Sequence, residues 1–217
     1  MHRIPSTSTA IIASGVERRA HDHLAMIRAH LESMQSVTVV ALKEEIAGPG
    51  SALATRRAQL DVRFAVEEMM MLSVAAHHQA GEMIANSIRK EYKAGVIAKK
   101  LKEINPNFFP IAISVIESDE PRIDGRFVLR EGAHLTVDLA VDYWNRSGDA
   151  LHARSEPLTD ENVLDSLIRA RDFLRLCVGL LETFEVDVSG RGMWIGGHLH
   201  FGQNRAPQLF FAPHSIN

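Results

Sequence analysis

The sequence predicts an α+β protein, mainly α, in which a helical bundle carries a small antiparallel sheet. Apolar residues recur three, four and seven positions apart through most of the chain. Two stretches, beginning at Ile111 and Phe184, switch to β-branched and aromatic runs bounded by turn residues. No internal repeat, low-complexity tract or interdomain linker interrupts this pattern. Residues 1–217 are therefore expected to form one unit, with an inserted hairpin at 111–130 and a C-terminal strand region at 184–217.

The first helix is expected over residues 15–40, where Val16, Leu24, Ile27, Leu31 and Met34 fall near one stripe. Gly48-Pro49-Gly50 is a turn signal that separates it from the longest periodic segment, residues 53–92. There Leu60, Phe64, Met71, Val74 and Ala75 recur at helical spacing. The middle of this segment is apolar on most sides, which places the helix centrally. A shorter helix over 94–104 ends before Asn105-Pro106, because the residue preceding a proline is pushed out of the helical region.

Ile111 onward and residues 126–130 flank a turn-rich stretch and read as a hairpin. Helical spacing returns over 136–147, with Val137, Val141 and Trp144 on one face. A further helix is expected over 159–184, where Thr159, Asp160 and Glu161 supply a capping hydroxyl and first-turn acids. Strands are expected over 184–188, 193–201 and 208–211. With the middle hairpin they complete one antiparallel sheet.

Composition narrows the function classes. The chain has 217 residues, 46% hydrophobic and 24% charged, the balance of an ordinary globular protein. A net charge of -3 argues against coating by nucleic acid through bulk electrostatics, so any RNA contact must be local. One cysteine, Cys177, excludes an internal disulfide framework and a Cys-rich zinc site, and a cytoplasmic setting is the expectation. The N-terminal apolar run is too short and polar for a signal peptide. No run of about 18 apolar residues exists to span a bilayer.

The segment that names a chemistry is Trp144-Asn145-Arg146-Ser147-Gly148-Asp149-Ala150-Leu151-His152-Ala153-Arg154. It sets an arginine and a histidine five intervening residues apart, between two amphipathic helices. Arg holds a phosphate as a permanent two-pronged cation, and His exchanges a proton near neutral pH. On one uninterrupted helix Arg146 and His152 would stand about 120° apart and about 9 Å along the axis. A break at Gly148, a poor helix former followed by the cap-favouring Asp149, is therefore expected between them. Approach to their equivalents across a twofold axis is the other route to a shared site. Without a ligand, Arg146 would be a solvated helix-end cation and His152 a loop residue bonded to backbone.

This motif, running on to Pro157, resembles that of the HEPN superfamily (higher eukaryotes and prokaryotes nucleotide-binding), whose ribonuclease members carry an Arg, four to six residues and a His near a helix end. The resemblance is specific over about fifteen residues and extends more loosely over 15–104 and 136–184. It implies a HEPN-like bundle that dimerises around one RNA-cleaving cleft, with Arg146 and His152 as the catalytic pair. Ser147 occupies the place where active members often have Asn, Asp or His. It further implies RNA as partner, no cofactor or metal, no membrane, and a toxin–antitoxin or phage-defence setting with an antitoxin or defence-system partner. The alternative is a non-catalytic HEPN-like scaffold that docks on a larger enzyme or regulator. A basic cleft that includes Arg154 would favour catalysis.

Other candidates are thinner. Glu67, beside Glu68 in an apolar helix, is expected to orient Arg146 or His152, or else to form a structural ion pair. His77 and His78 diverge by about 100° on a helix and make a poor shared site. His198 and His200 alternate on a strand and point to one face, which is expected to be an ordinary exposed strand face; a metal there would need a third ligand, such as His214 or an acidic residue, to which the sequence does not point. The glycine-bearing turns match no phosphate loop.

Overall fold

The structure is a computed structural model that describes residues 15–43, 49–77, 91, 93–116, 126–151, 159–188 and 193–213. His78, His152, Arg154, Pro157, His214, residues 78–90 of the expected central helix and the hairpin turn at 117–125 lie outside the described residues. The protein is mainly helical with one small antiparallel sheet, as the sequence predicts.

α1 (Gly15–Lys43) and α2 (Pro49–His77) form a long antiparallel hairpin. The buried residues of α1 are Ala20, Leu24, Ile27, Leu31, Met34, Thr38 and Ala41, which alternate steps of four and three. That 3.5-residue period is the seam of a coiled coil. α2 answers with Ser51, Thr55, Ala58, Val62, Ala65, Met69, Leu72 and Ala76 in the same rhythm. It also buries Gln59, Val66, Met70, Ser73 and His77 on a second stripe, so it is the central helix. α2 starts at Pro49 rather than at residue 53. A proline tolerates the first helical position because its missing N–H would have had no intrahelical partner there.

α3 (Ala94–Ile104) stops at Asn105, whose backbone N–H closes on Leu101 O and whose side-chain oxygen accepts from Asn107 N at 2.8 Å. α4 (Val137–Leu151) lies across α2, and α5 (Asp160–Leu181) packs on both long helices. Thr159 caps α5 by accepting from Asn162 N at 3.3 Å. The Gln59 side chain crosses from α2 to donate to Ser166 O of α5 at 2.9 Å. α5 ends at Leu181, and the chain turns into the sheet within two residues.

The sheet comprises β1 (Ile111–Ile116), β2 (Arg126–Leu129), β3 (Phe184–Val188), β4 (Met193–His198) and β5 (Gln208–Pro213). Its order is β2-β1-β3-β4-β5, with every neighbouring pair antiparallel. Phe184, Val186, Val188, Ile195 and Leu199 join the main core, as the period-2 pattern of β3 requires. The other face holds a separate cluster of Ile113, Phe127 and Trp194 with Phe210 packed on it. Its rings meet edge to face, with Phe127 5.0 Å and Phe210 5.6 Å from Trp194. Gly196 makes room for them: a Cβ there would run into the Phe210 ring and stand 2.6 Å from Trp194.

Two further expected boundaries are corrected. α4 does not break at Gly148 but continues through Asp149 to Leu151. Gly148 is buried against α2, and tertiary packing outweighs its low helix propensity. β4 ends at His198 rather than running to Phe201, because His200 adopts φ 51°, in the left-handed region no strand accommodates.

Candidate functional site around Arg146

The second half of α4 has two faces with different chemistry. Trp144, Ser147 and Gly148 are buried against α2, while Asn145, Arg146 and Asp149 are exposed. Ser147 Oγ donates to Trp144 O at 2.8 Å, a bond within the helix that turns the hydroxyl away from solvent. Ser147 therefore lies about 100° around α4 from Arg146, on the buried face.

Arg146 has 61% of its side chain exposed, and its Nε is anchored by Asp142 one turn earlier, 2.9 Å from Oδ2 and 3.0 Å from Oδ1. Such an i,i+4 pair adds little to stability at the surface. Among the described residues the hydrogen bonds of Arg146 are made through Nε alone. Since α4 is unbroken to Leu151, the helix end is separated from Arg146 by more than a turn.

Glu67 does not meet Arg146. Its Oε1 accepts from Trp144 Nε1 at 2.8 Å and from Arg63 Nε at 3.3 Å, and Arg63 lies over the Trp144 ring with its carbon 4.0 Å from the ring centroid. The three side chains close a hydrogen-bonded and cation–π triangle that clamps α4 to α2. Glu67 thus positions the helix that carries Arg146, not its guanidinium. Glu68 pairs with His23 Nδ1 at 2.6 Å across the α1–α2 hairpin.

Two further groups near α4 are unsuited to proton transfer at neutral pH. Tyr143 packs edge-on to Phe173 with ring centroids 5.2 Å apart. Burial, then the carboxylate of Asp172, raises its phenol above the usual value. Cys177 is fully buried, and burial pushes its thiol well up, so it is no nucleophile.

His198 and His200 do lie together, with stacked rings 5.5 Å apart and 25° between planes. His198 Nδ1 is 3.0 Å from Thr183 Oγ1, and His200 Nε2 is 3.3 Å from Gln208 Oε1. Burial lowers the His198 pKa, outweighing the hydrogen bond to Glu182 O that raises it. Among the described residues, no three His, Cys, Asp or Glu side chains gather as metal ligands would. His77 is a core histidine: Nδ1 donates to Ser73 O at 2.6 Å and Nε2 accepts from Asn105 Nδ2 at 2.7 Å.

Sequence reading missed a cluster on the α1–α2 hairpin, where His30, Ser33 and Arg57 converge on Asp61. Its signal was present as two heptad-spaced pairs, His23 with His30 and Asp61 with Glu68. No described helix is long and apolar enough to cross a membrane. Comparison with protein-family models, curated proteins and solved structures finds no match to this chain.

Proposed function

We propose that the protein is a metal-independent HEPN-like endoribonuclease, acting in the cytoplasm as a homodimer, with Arg146 and His152 as its catalytic pair. The observation that carries this reading is the outward guanidinium of Arg146, held by Asp142 on the exposed face of α4, six positions before His152. Arg146 would bind the scissile phosphate and stabilise the charge that grows on it. His152 would take the proton from the ribose 2′-hydroxyl or give one to the departing 5′-oxygen, leaving a 2′,3′-cyclic phosphate. A twofold axis near α4 would bring two Arg/His sets to one phosphodiester. RNA is the substrate under this reading. A toxin–antitoxin or defence setting, with an antitoxin or defence-system partner, rests on the motif's resemblance alone.

A second reading, a non-catalytic docking module, draws on Leu139, which is 39% exposed one heptad before Arg146 on the same helix. The deciding experiment is RNA cleavage in EDTA. Wild type should cleave, and Arg146→Ala and His152→Ala should each lose about two to four kcal/mol of transition-state stabilisation while remaining folded. Cleavage that requires added metal overturns the mechanism. Failure to cleave tRNA, mRNA and rRNA moves the assignment to the docking module.

A further inference from the structure

Asp61 of α2 is 1% exposed, and a carboxylate so placed costs several kcal/mol unless it is paired. Three side chains serve it. His30 Nδ1 lies 3.0 Å from Oδ1, Ser33 Oγ donates to Oδ2 at 2.7 Å, and Arg57 Nε donates to Oδ2 at 3.3 Å. Arg57 also donates through Nη2 to Ser33 Oγ at 3.3 Å. An ionised carboxylate only accepts, so His30 must give it Nδ1–H, which fixes the ring; Nε2 can then donate to an anion only when it carries the ring's second proton. Arg57 has 57% of its side chain exposed, so the outer edge of its guanidinium faces solvent.

Beside them stands Phe64, 39% exposed, with its ring 5.3 Å from that of His30. Arg57, Asp61 and Phe64 follow at i, i+4 and i+7 and so share one face of α2. The carboxylates that flank this stretch are engaged elsewhere, Glu32 by Arg28 at 2.6 Å and Glu68 by His23 at 2.6 Å. A cation and an imidazole held by one buried carboxylate thus stand beside an exposed aromatic ring.

We infer that this seam binds a nucleoside monophosphate, with the phosphate on Arg57 and His30 and the base stacked on Phe64. Along α2 the two ends are about 10 Å apart, and His30 stands between them, so the ligand must carry both a phosphate and a planar ring. Arg, and His with both ring nitrogens protonated, hold phosphate oxygens by charge-assisted bonds, so in the complex His30 donates Nδ1–H to Asp61 and Nε2–H to the phosphate; stacking on an aromatic ring is indifferent to which base is present. Asp61 is a positioning residue and touches no ligand. The site is independent of Arg146.

Calorimetric titration of the full chain with AMP and with ribose 5-phosphate tests it. AMP should bind saturably, and Arg57→Gln and His30→Ala should each weaken it about tenfold. Phe64→Ala should weaken AMP similarly yet leave ribose 5-phosphate unchanged. Arg57→Gln keeps a hydrogen-bonding side chain beside Asp61, and circular dichroism checks that each variant is folded. No saturation by AMP at millimolar concentration, or equal AMP affinity in wild type, Arg57→Gln and Phe64→Ala, overturns the inference. RNA cleavage in EDTA is read on the same preparations. Binding without cleavage overturns only the ribonuclease reading, and cleavage without binding overturns only this one.

Discussion

Trp144 of α4 donates its indole N–H to Glu67 of α2 at 2.8 Å, while the Arg63 guanidinium lies over the same indole ring. This clamp ties the helix that carries Arg146 to α2. Trp144→Phe keeps an aromatic ring but removes the N–H and replaces the buried indole with a smaller ring. It should cost at least about 1 kcal/mol, read as a lower urea midpoint at unchanged m.

Gly148 offers the opposite sign. A Cβ there would meet Arg63 Nη1 at 3.4 Å, an ordinary contact with the end of a flexible side chain. Glycine in a helix interior costs about 0.5–1 kcal/mol relative to alanine, so Gly148→Ala should stabilise the protein by about that much. Thermal unfolding gives the answer, and a loss of stability would mean that the added methyl displaces Arg63 from its place over Trp144.

Asn105 ties three elements, giving Nδ2 to His77 Nε2 at 2.7 Å and to Asp187 O at 2.8 Å. Asn105→Ala withdraws the donor from a buried imidazole and should destabilise by about 1–3 kcal/mol in urea unfolding. Asn105→Asp should be tolerated no better, because a carboxylate cannot donate to Nε2.

His198 titrates below its ordinary value because it is partly buried. A histidine whose folded pKa is depressed takes up a proton more readily when unfolded, so its contribution is present above about pH 6.5 and is lost as pH falls through the folded value. The fall in melting temperature between pH 7 and pH 5 should be shallower in His198→Asn. Equal slopes in variant and wild type would remove His198 from the acid sensitivity.

Helix α1 was legible almost residue by residue: Leu24, Ile27, Leu31 and Met34, placed on one stripe by spacing alone, are all fully buried. Burial of one face on a partner is the force that sets that spacing, so sequence carries it. The end of α4 was not legible, because Gly148 stays helical in a buried setting whose neighbour Arg63 lies 85 positions away in sequence. Nor was the His30 and Asp61 pair, which needs the register of two antiparallel helices before its members become neighbours. His152 and Arg154 lie outside the described residues, so half of the motif that sequence analysis singled out is read from sequence alone.

α1 also reaches across the molecule. His21 Nε2 lies 3.1 Å from Pro207 O, and Arg28 donates to Gln203 O at 2.7 Å and to Arg205 O, contacts that join residues 175 to 186 positions apart. During synthesis these donors emerge long before the carbonyls they bind, so the helical hairpin can collapse early but must wait for the final strands to lock. Until residues 203–207 have emerged, this flank of α1 lacks the carbonyls it binds in the folded protein.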